Sequence, residues 1–422
     1  MYNKFDINVT SEIGELEGVI LHKPGREIEN MTPQNAERAL YSDILNLSVA
    51  ESEHNEFYEA LQKVTNTFEV KDLLTDILKN DRVKFNLIEK ICNYECRKGL
   101  TDELMKLGPQ ELTRQLFEGV VMKKSSLTNF LSKEKYSLRP LHNFFFMRDA
   151  SISVRDEVLI GKMANHVRER ESIIMETIFD YHPSLQAKTF SPSDSFNVPL
   201  KDITIEGGDV LIAREDTLVI GIGARTTPQG IDFLIEHYKK QGEPFNIVVQ
   251  DLPLEPESFI HLDMVFTFLN IHECMVYGPV ILKPNRLETV AIRIENGKVE
   301  ISSKDNLLIA LKDLGFDLKP IFCGGQASEW TQEREQWHSG ANFLSVGPGK
   351  ILGYSRNIHT LDELSNNGYE IIKAKDLIAD KLDITKINKY CISVDGTELA
   401  RGGGGCRCMT MPIRRKAVDW SS

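Results

Sequence analysis

Four short motifs carry side chains able to do chemistry. The first is Arg401-Gly402-Gly403-Gly404-Gly405-Cys406-Arg407-Cys408-Met409-Thr410-Met411-Pro412. A run of glycines gives up order unless a ligand or another backbone must come close. A thiol directly after such a run, beside Arg407, suits an exposed nucleophile whose thiolate is favoured by neighbouring positive charge. Alone, the stretch fits equally a flexible linker with two incidental cysteines, or a Cys-X-Cys metal half-site. It is not a phosphate loop, since no Gly-Lys-Ser/Thr follows the glycines. Glu206-Gly207-Gly208-Asp209 places two carboxylates around a tight turn where a cation or a base could be held, although acidic turn residues are common. His261-Leu262-Asp263 has the i, i+2 spacing that puts both side chains on one face of a strand. A histidine beside a carboxylate can serve as general acid and base. Phe144-Phe145-Phe146-Met147-Arg148-Asp149 ends an apolar run in a charged pair, as a buried strand with a salt-bridged end would. No metal site emerges: His272-Glu273-Cys274 and the Cys92 and Cys96 pair lack a second pair at zinc-like spacing. Cys92 falls on the helical pattern of Ile88 and Ile91, as a core residue does.

The elements that must position these motifs change texture along the chain. Gly18 to Leu21 is a short apolar run leading into the turn-rich His22-Lys23-Pro24-Gly25-Arg26, a strand leaving for a loop. Residues 33–64 repeat Leu, Ile, Phe and Tyr in a polar background, a helical pattern with breaks. From 73 to 138 helical spacings dominate, as in Phe85, Ile88 and Ile91 or Leu112, Leu116 and Val120, with Gly108-Pro109 separating two helices. After Pro140 short β-rich segments alternate with turns and helices. Val210–Ala213 and Thr217–Ile220 flank Arg214-Glu215-Asp216 as a hairpin, and a helix over 228–240 follows with proline near its start. Ala291–Ile294 and Val299–Ile301 flank Glu295-Asn296-Gly297-Lys298, where Asn-Gly is a strong hairpin signal. A helix over 306–314 comes next. Hairpin-plus-helix units therefore recur without a literal sequence repeat. The reading is a mixed α/β chain with a helical insert and no linker between independent domains.

Composition narrows the function classes. The 422 residues carry a formal charge of −12, which opposes a nucleic-acid or anionic-membrane partner. No apolar run reaches the roughly 18 residues of a spanning helix. The N-terminus lacks a basic region followed by an apolar one, so no secretory signal is expected. Seven cysteines on so long a chain do not form a dense disulfide framework. The expectation is a reduced, cytoplasmic protein in which one thiol acts as a reagent.

Taken together, one Cys, one His, one Glu and two Asp on turn-linked motifs resemble a cysteine hydrolase acting on a cation. The order and spacing of Phe-Met-Arg-Asp, Glu-Gly-Gly-Asp, His-Leu-Asp and Cys-Met-Thr-Met-Pro resemble the arginine deiminases of the guanidino-group-modifying superfamily. Leu21 to Pro33, Cys323 to Gly349 (with Arg334-Glu335-Gln336-Trp337 and Gly340-Ala341-Asn342) and Tyr354-Ser355-Arg356-Asn357 extend the resemblance over nearly the whole chain. It implies the five-bladed α/β propeller, or pentein, fold: one catalytic domain over 1–422 with an inserted all-helical subdomain at 73–138. It implies Cys408 as nucleophile, His261 as general acid and base, Glu206 orienting His261, and Asp149 and Asp263 holding a guanidinium. Asn143, Arg168 and Arg225 match the family's grip on an α-carboxylate, and Phe146 would line the channel around the aliphatic stem. The implied substrate is L-arginine and the products citrulline and ammonia, with no metal or organic cofactor. A homo-oligomer is left open. A related guanidino hydrolase, an amidinotransferase, or a non-catalytic arginine-binding paralogue are the alternatives. Many members carry Arg five residues before the nucleophile and Pro two before it, where this chain has Gly403 and Cys406. Arg401 is then the candidate to reach inward, and Cys406 a candidate to pair with Cys408 on oxidation.

Overall fold

The computed structural model describes residues 4–31, 43–192 and 203–420. In five of its sheets the apolar runs assemble in one recurring way: two antiparallel strands, with a third running parallel to the second of the pair. Ser151–Val154 and Glu157–Ile160 pair in this way, and after helix Glu169–Tyr181 strand Lys188–Phe190 joins in parallel. Val210–Arg214 and Thr217–Ile222 form the expected hairpin, followed by helix Pro228–Gln241 and parallel Phe245–Asp251. Phe266–Asn270, Glu273–Val276, helix Leu307–Asp313 and Lys319–Phe322 repeat the arrangement. So do Leu344–Gly347, Lys350–Tyr354, helix Ile358–Asn366 and Tyr390–Val394. The remaining sheet joins the two ends of the chain. Met411–Arg415 lies antiparallel to Leu16–Leu21, which runs parallel to Asn66–Glu69 after helix Leu47–Gln62.

Local chemistry explains these elements. The Thr217–Ile222 strand sits between two neighbours and is buried along nearly its whole length, so its apolar run is continuous rather than alternating. Asn296 and Gly297 take φ 52° and 73°, as a two-residue hairpin turn requires, and strands Thr289–Glu295 and Lys298–Lys304 pair across them. Helix Pro228–Gln241 starts on proline and stops at Gly242. Its Ile231, Leu234, Ile235 and Tyr238 are buried on one stripe against the sheet, each side chain contributing about 1.5–3 kcal/mol of hydrophobic stabilisation. Asn46 accepts hydrogen bonds from the amides of Ser48 and Val49 and so starts helix Leu47–Gln62. The first part of the helical pattern expected over 33–64, up to residue 42, lies outside the described residues.

Range 73–138 contains helices Asp81–Tyr94, Thr101–Met105, Pro109–Glu118 and Leu127–Leu131, preceded by Val70–Ile77. Strands Val120–Val121 and Tyr136–Leu138 also pair within it, so the range is dominated by helix rather than all-helical. Its apolar stripe is Val83, Leu87, Ile88, Ile91 and Cys92, and Phe85 lies off it, exposed. The stripe merges with Ile20, Met411 and Ile413 of the sheet that joins the chain ends. Among the described residues, no helix is long and apolar enough to cross a membrane.

The motifs occupy equivalent places. Asp149 precedes strand Ser151–Val154, Glu206 precedes Val210–Arg214, and Asp263 precedes Phe266–Asn270. Asn342 precedes Leu344–Gly347, and Cys408 precedes Met411–Arg415. Two expectations are corrected here. His261 and Asp263 sit on a turn before their strand rather than within it, and 144–149 is a run of turns instead of a buried strand. In both places side chains needed at one point come from backbone that is changing direction.

Candidate active site

Hydrogen bonds link the five loops into a closed circuit. The Arg148 amide donates to the Cys408 carbonyl at 3.0 Å, and the Gly207 amide to the Asp149 carbonyl at 3.1 Å. The Leu262 amide donates to Asp209 Oδ1 at 2.9 Å. Asn342 Nδ2 donates to the Asp263 carbonyl at 3.2 Å, and the Arg407 amide donates to Asn342 Oδ1 at 2.9 Å. Side chains from five separate sheets thereby face one buried point.

At that point Cys408, His261, Glu206, Asp149 and Asp263 come together, each almost completely buried. His261 Nε2 is 2.9 Å from Glu206 Oε2, and its Nδ1 is 3.8 Å from Asp149 Oδ1. That Asp149 oxygen is buried and makes no hydrogen bond. Cys408 Sγ lies 3.6 Å from Asp263 Oδ2. Burial by itself would lower the His261 pKa, but Asp149, the Glu206 hydrogen bond and Asp209 outweigh it and raise it to about 9. Burial would raise Glu206, yet the bond to His261 and the charge of Arg225 bring it down to about 2. The imidazole is therefore held as a cation at neutral pH.

The setting of Cys408 differs from the expectation. Cys408 is only 4% exposed. Burial, with the charges of Asp263 and Asp149, pushes its thiol well above the usual range. Arg407 offsets this only in part, its guanidinium being paired with Asp263 Oδ2 at 2.8 Å and with Glu12 at 3.0 Å. The sulfur sits beside acids and keeps its proton in the resting site.

Arg168 is the other surprise. It donates to Asp149 Oδ2 at 2.7 Å and to Glu171 at 2.8 Å, with longer contacts to the carbonyls of Asn143 and Phe146. Arg168 thus links Asn143, Phe146 and Asp149, while Arg225 is half-buried near Glu206. Asn143 and Phe146 are buried on the same loop as Asp149. Phe146 touches the glycine loop, since a Cβ at Gly404 would lie 2.4 Å from its ring. Arg401 does not reach inward: it pairs with Asp43 and Glu398 on the outer side. Gly403 takes φ +88° with open space around it, a conformation that an arginine there would adopt only under strain. Cys406 and Cys408 are both buried free thiols.

Asp149, Glu206 and His261 offer three ligand atoms within 4.8 Å of one another. A metal there would have to displace the proton of an imidazole whose pKa is raised to about 9, and would sit close to the Arg168 cation already paired with Asp149 Oδ2. The donor set therefore disfavours a metal. Asn342, singled out from sequence only as part of a matching segment, proves to contact Cys408: its Nδ2 is 3.2 Å from Sγ.

Solved structures share this fold at low identity. An amidinotransferase from Microseira wollei superposes with a TM-score of 0.55 at 13% identity, covering 98% of both chains. A dimethylarginine dimethylaminohydrolase adduct gives 0.51 at 16% identity, covering 94% of this chain and 99% of that one. The N-terminal domain of a cyanobacterial arginine dihydrolase gives 0.51 at 12%, with 95% and 99% covered. The fold is therefore a mixed α/β fold of the pentein type. The arginine deiminase family model matches residues 37–415. The arginine deiminase of Bacillus cereus is 32% identical over 441 aligned positions, covering 98% of this chain and 100% of that protein. That of Listeria innocua is 31% identical, covering 97% and 98%. The chain belongs to the arginine deiminase family.

Proposed function

We propose that the chain hydrolyses L-arginine to L-citrulline and ammonia through a covalent thiouronium on Cys408. The observation that carries this reading is a buried thiol 3.6 Å from a carboxylate, beside a second carboxylate with an unbonded oxygen. Such a sulfur is a poor nucleophile toward a neutral substrate. A planar cation held by Asp149 and Asp263 changes that, because its charge offsets theirs and favours the thiolate. Free arginine is such a cation at any physiological pH. Its approach requires Arg168 to share or release Asp149, and a substrate α-carboxylate, gripped by Arg168 with Asn143 and Arg225, supplies the replacement charge. Phe146 would flank the aliphatic stem.

As the substrate cation enters, the Cys408 thiol releases its proton to solvent. In the first half-reaction the resulting thiolate pair forms a bond to the guanidinium carbon, and the C=N π pair moves onto nitrogen. His261, as imidazolium, gives its proton to one amino group, which leaves as ammonia when the C–N bond breaks. The now neutral His261 takes a proton from water as water adds to the thiouronium. The second adduct collapses: the C–S bond breaks with its pair returning to sulfur, the hydroxyl proton passes to that sulfur to restore the thiol as the C=O forms, and citrulline is released. Glu206 orients His261 and favours its charged form. No cofactor enters any step. The five equivalent sheets, with one loop each facing the site, support a reading as five blades of a propeller in a single catalytic domain, with 73–138 inserted in it.

Incubation with L-arginine should release citrulline and ammonia in equal amounts. Cys408→Ala should release neither, and Cys406→Ser should stay active. Agmatine, which lacks the carboxylate, should be a far poorer substrate. Absence of citrulline from the intact protein overturns the reading.

A further inference from the structure

Four of the five loops around the site contribute Asp149, Glu206, the His261–Asp263 pair and Cys408. The fifth contributes Asn342, for which the reaction above has no role. Its side chain is 1% exposed and makes a hydrogen bond from every face. Oδ1 accepts from the Arg407 amide at 2.9 Å and the Cys408 amide at 3.3 Å, and Nδ2 faces the Asp263 carbonyl at 3.2 Å. These partners settle the amide's orientation, since the flipped form would set two N–H donors against NH2 and a carbonyl against oxygen. The second Nδ2 hydrogen is then left to two sulfurs, Cys408 Sγ at 3.2 Å and Met264 Sδ at 3.6 Å, and the nearer of the two is the one that becomes charged.

We propose that Asn342 is a catalytic residue of this site, the neutral N–H donor that stabilises the Cys408 thiolate when it attacks and when it departs. The inference rests on Cys408 being the nucleophile. The charge on sulfur develops next to Asp263, and the nearby Arg407 guanidinium is spent on Asp263 and Glu12. A donor without charge supports the thiolate without binding the acids that must take the substrate cation. The amide keeps both its protons throughout. As the S–C bond forms, the contact weakens, and when that bond breaks the returning pair meets the same N–H. The glycine loop is built around this side chain: a Cβ at Gly405 would lie 2.6 Å from Asn342 Oδ1 and 2.7 Å from its Cβ.

The test measures the Cys408 thiol titration by thiolate absorbance, as a difference against Cys408→Ser, together with kcat and KM for L-arginine. Asn342→Asp keeps an acceptor for the two amides and replaces the donor with a carboxylate. Asn342→Ala removes both. Gly405→Ala displaces the amide without removing it. A hydrogen bond to a charged group at this distance corresponds to about a 10- to 100-fold effect. Asn342→Asp and Asn342→Ala are therefore expected to raise the thiol pKa by about one to two units and lower kcat by about 10- to 100-fold. Gly405→Ala should move both in the same direction by less. A purely structural role would lower the melting temperature and leave the thiol titration in place, which overturns the proposal. So does a folded Asn342→Asp variant with wild-type titration and kcat. The titration is read without substrate, so it stands even if wild-type protein makes no citrulline, an outcome that refutes the proposed function instead.

Discussion

Glu206→Gln isolates the bond that keeps His261 charged. Glu206 uses one oxygen to accept the Ala164 amide at 2.9 Å and the other to accept from His261 Nε2 at 2.9 Å. Glutamine has one acceptor and one donor. If its oxygen stays on the Ala164 amide, its NH2 faces Nε2 and favours the neutral imidazole. If it flips, two donors collide at Ala164. A hydrogen bond between charged partners contributes about 1.5–3 kcal/mol, and each pKa unit is about 1.4 kcal/mol. The His261 pKa should therefore fall from about 9 by about one to two units. At pH 8 the wild-type ring is about nine-tenths imidazolium, and in the variant the charged share drops by up to about tenfold. Titration of labelled histidine by NMR, compared with a His261→Ala spectrum, reads the pKa, and citrulline formation at pH 8 reads the consequence. Stability follows with a definite sign. A histidine raised above its unfolded value stabilises the fold fully below about pH 6.5, and that contribution is lost as pH rises through about 9. In the variant this alkaline loss should end at lower pH. An unshifted His261 titration in folded Glu206→Gln protein refutes the reasoning.

Asp209→Asn keeps an oxygen for the Leu262 amide but removes a charge facing His261. Because burial raises Asp209 to about 7, the downward shift of the His261 titration should appear only above that pH and be smaller than for Glu206→Gln. Arg168→Met strands the buried Asp149 and Glu171 carboxylates. Unfolding by denaturant should show a loss of about 3–5 kcal/mol, and KM for L-arginine should rise. Arg401→Ala removes exposed pairs to Asp43 and Glu398, so stability should change by less than about 1 kcal/mol. Its KM should match the wild type, and a marked rise would mean that Arg401 does swing inward.

Much of the local structure was legible before any coordinates. The hairpin around Arg214-Glu215-Asp216, the Asn-Gly turn at 296–297 and the helices at 228–241 and 307–313 follow from turn chemistry and periodicity, which act over a few residues. Cys92 lies in the core as its stripe predicts. The site was less legible wherever a side chain's partner is distant in sequence. Arg407 looked like a neighbour that would favour the adjacent thiolate, yet its guanidinium turns to Asp263 and Glu12. Arg168 looked free to receive a carboxylate, yet it is clamped between Asp149 and Glu171. Asn342 gave no chemical signal, because an asparagine becomes informative only once it is seen to touch sulfur.

The sequence by itself determined the residue types, the turns that present them and the family to which the chain belongs. Those follow from short-range backbone preferences and from motifs kept in order. Tertiary structure alone decided that five loops, from Asp149 to Cys408, meet at one buried point and bond to one another in a circuit. It also decided which cation neutralises which acid. Both outcomes depend on burial and distance between residues far apart in the chain, and electrostatics in a buried site is governed by those two quantities.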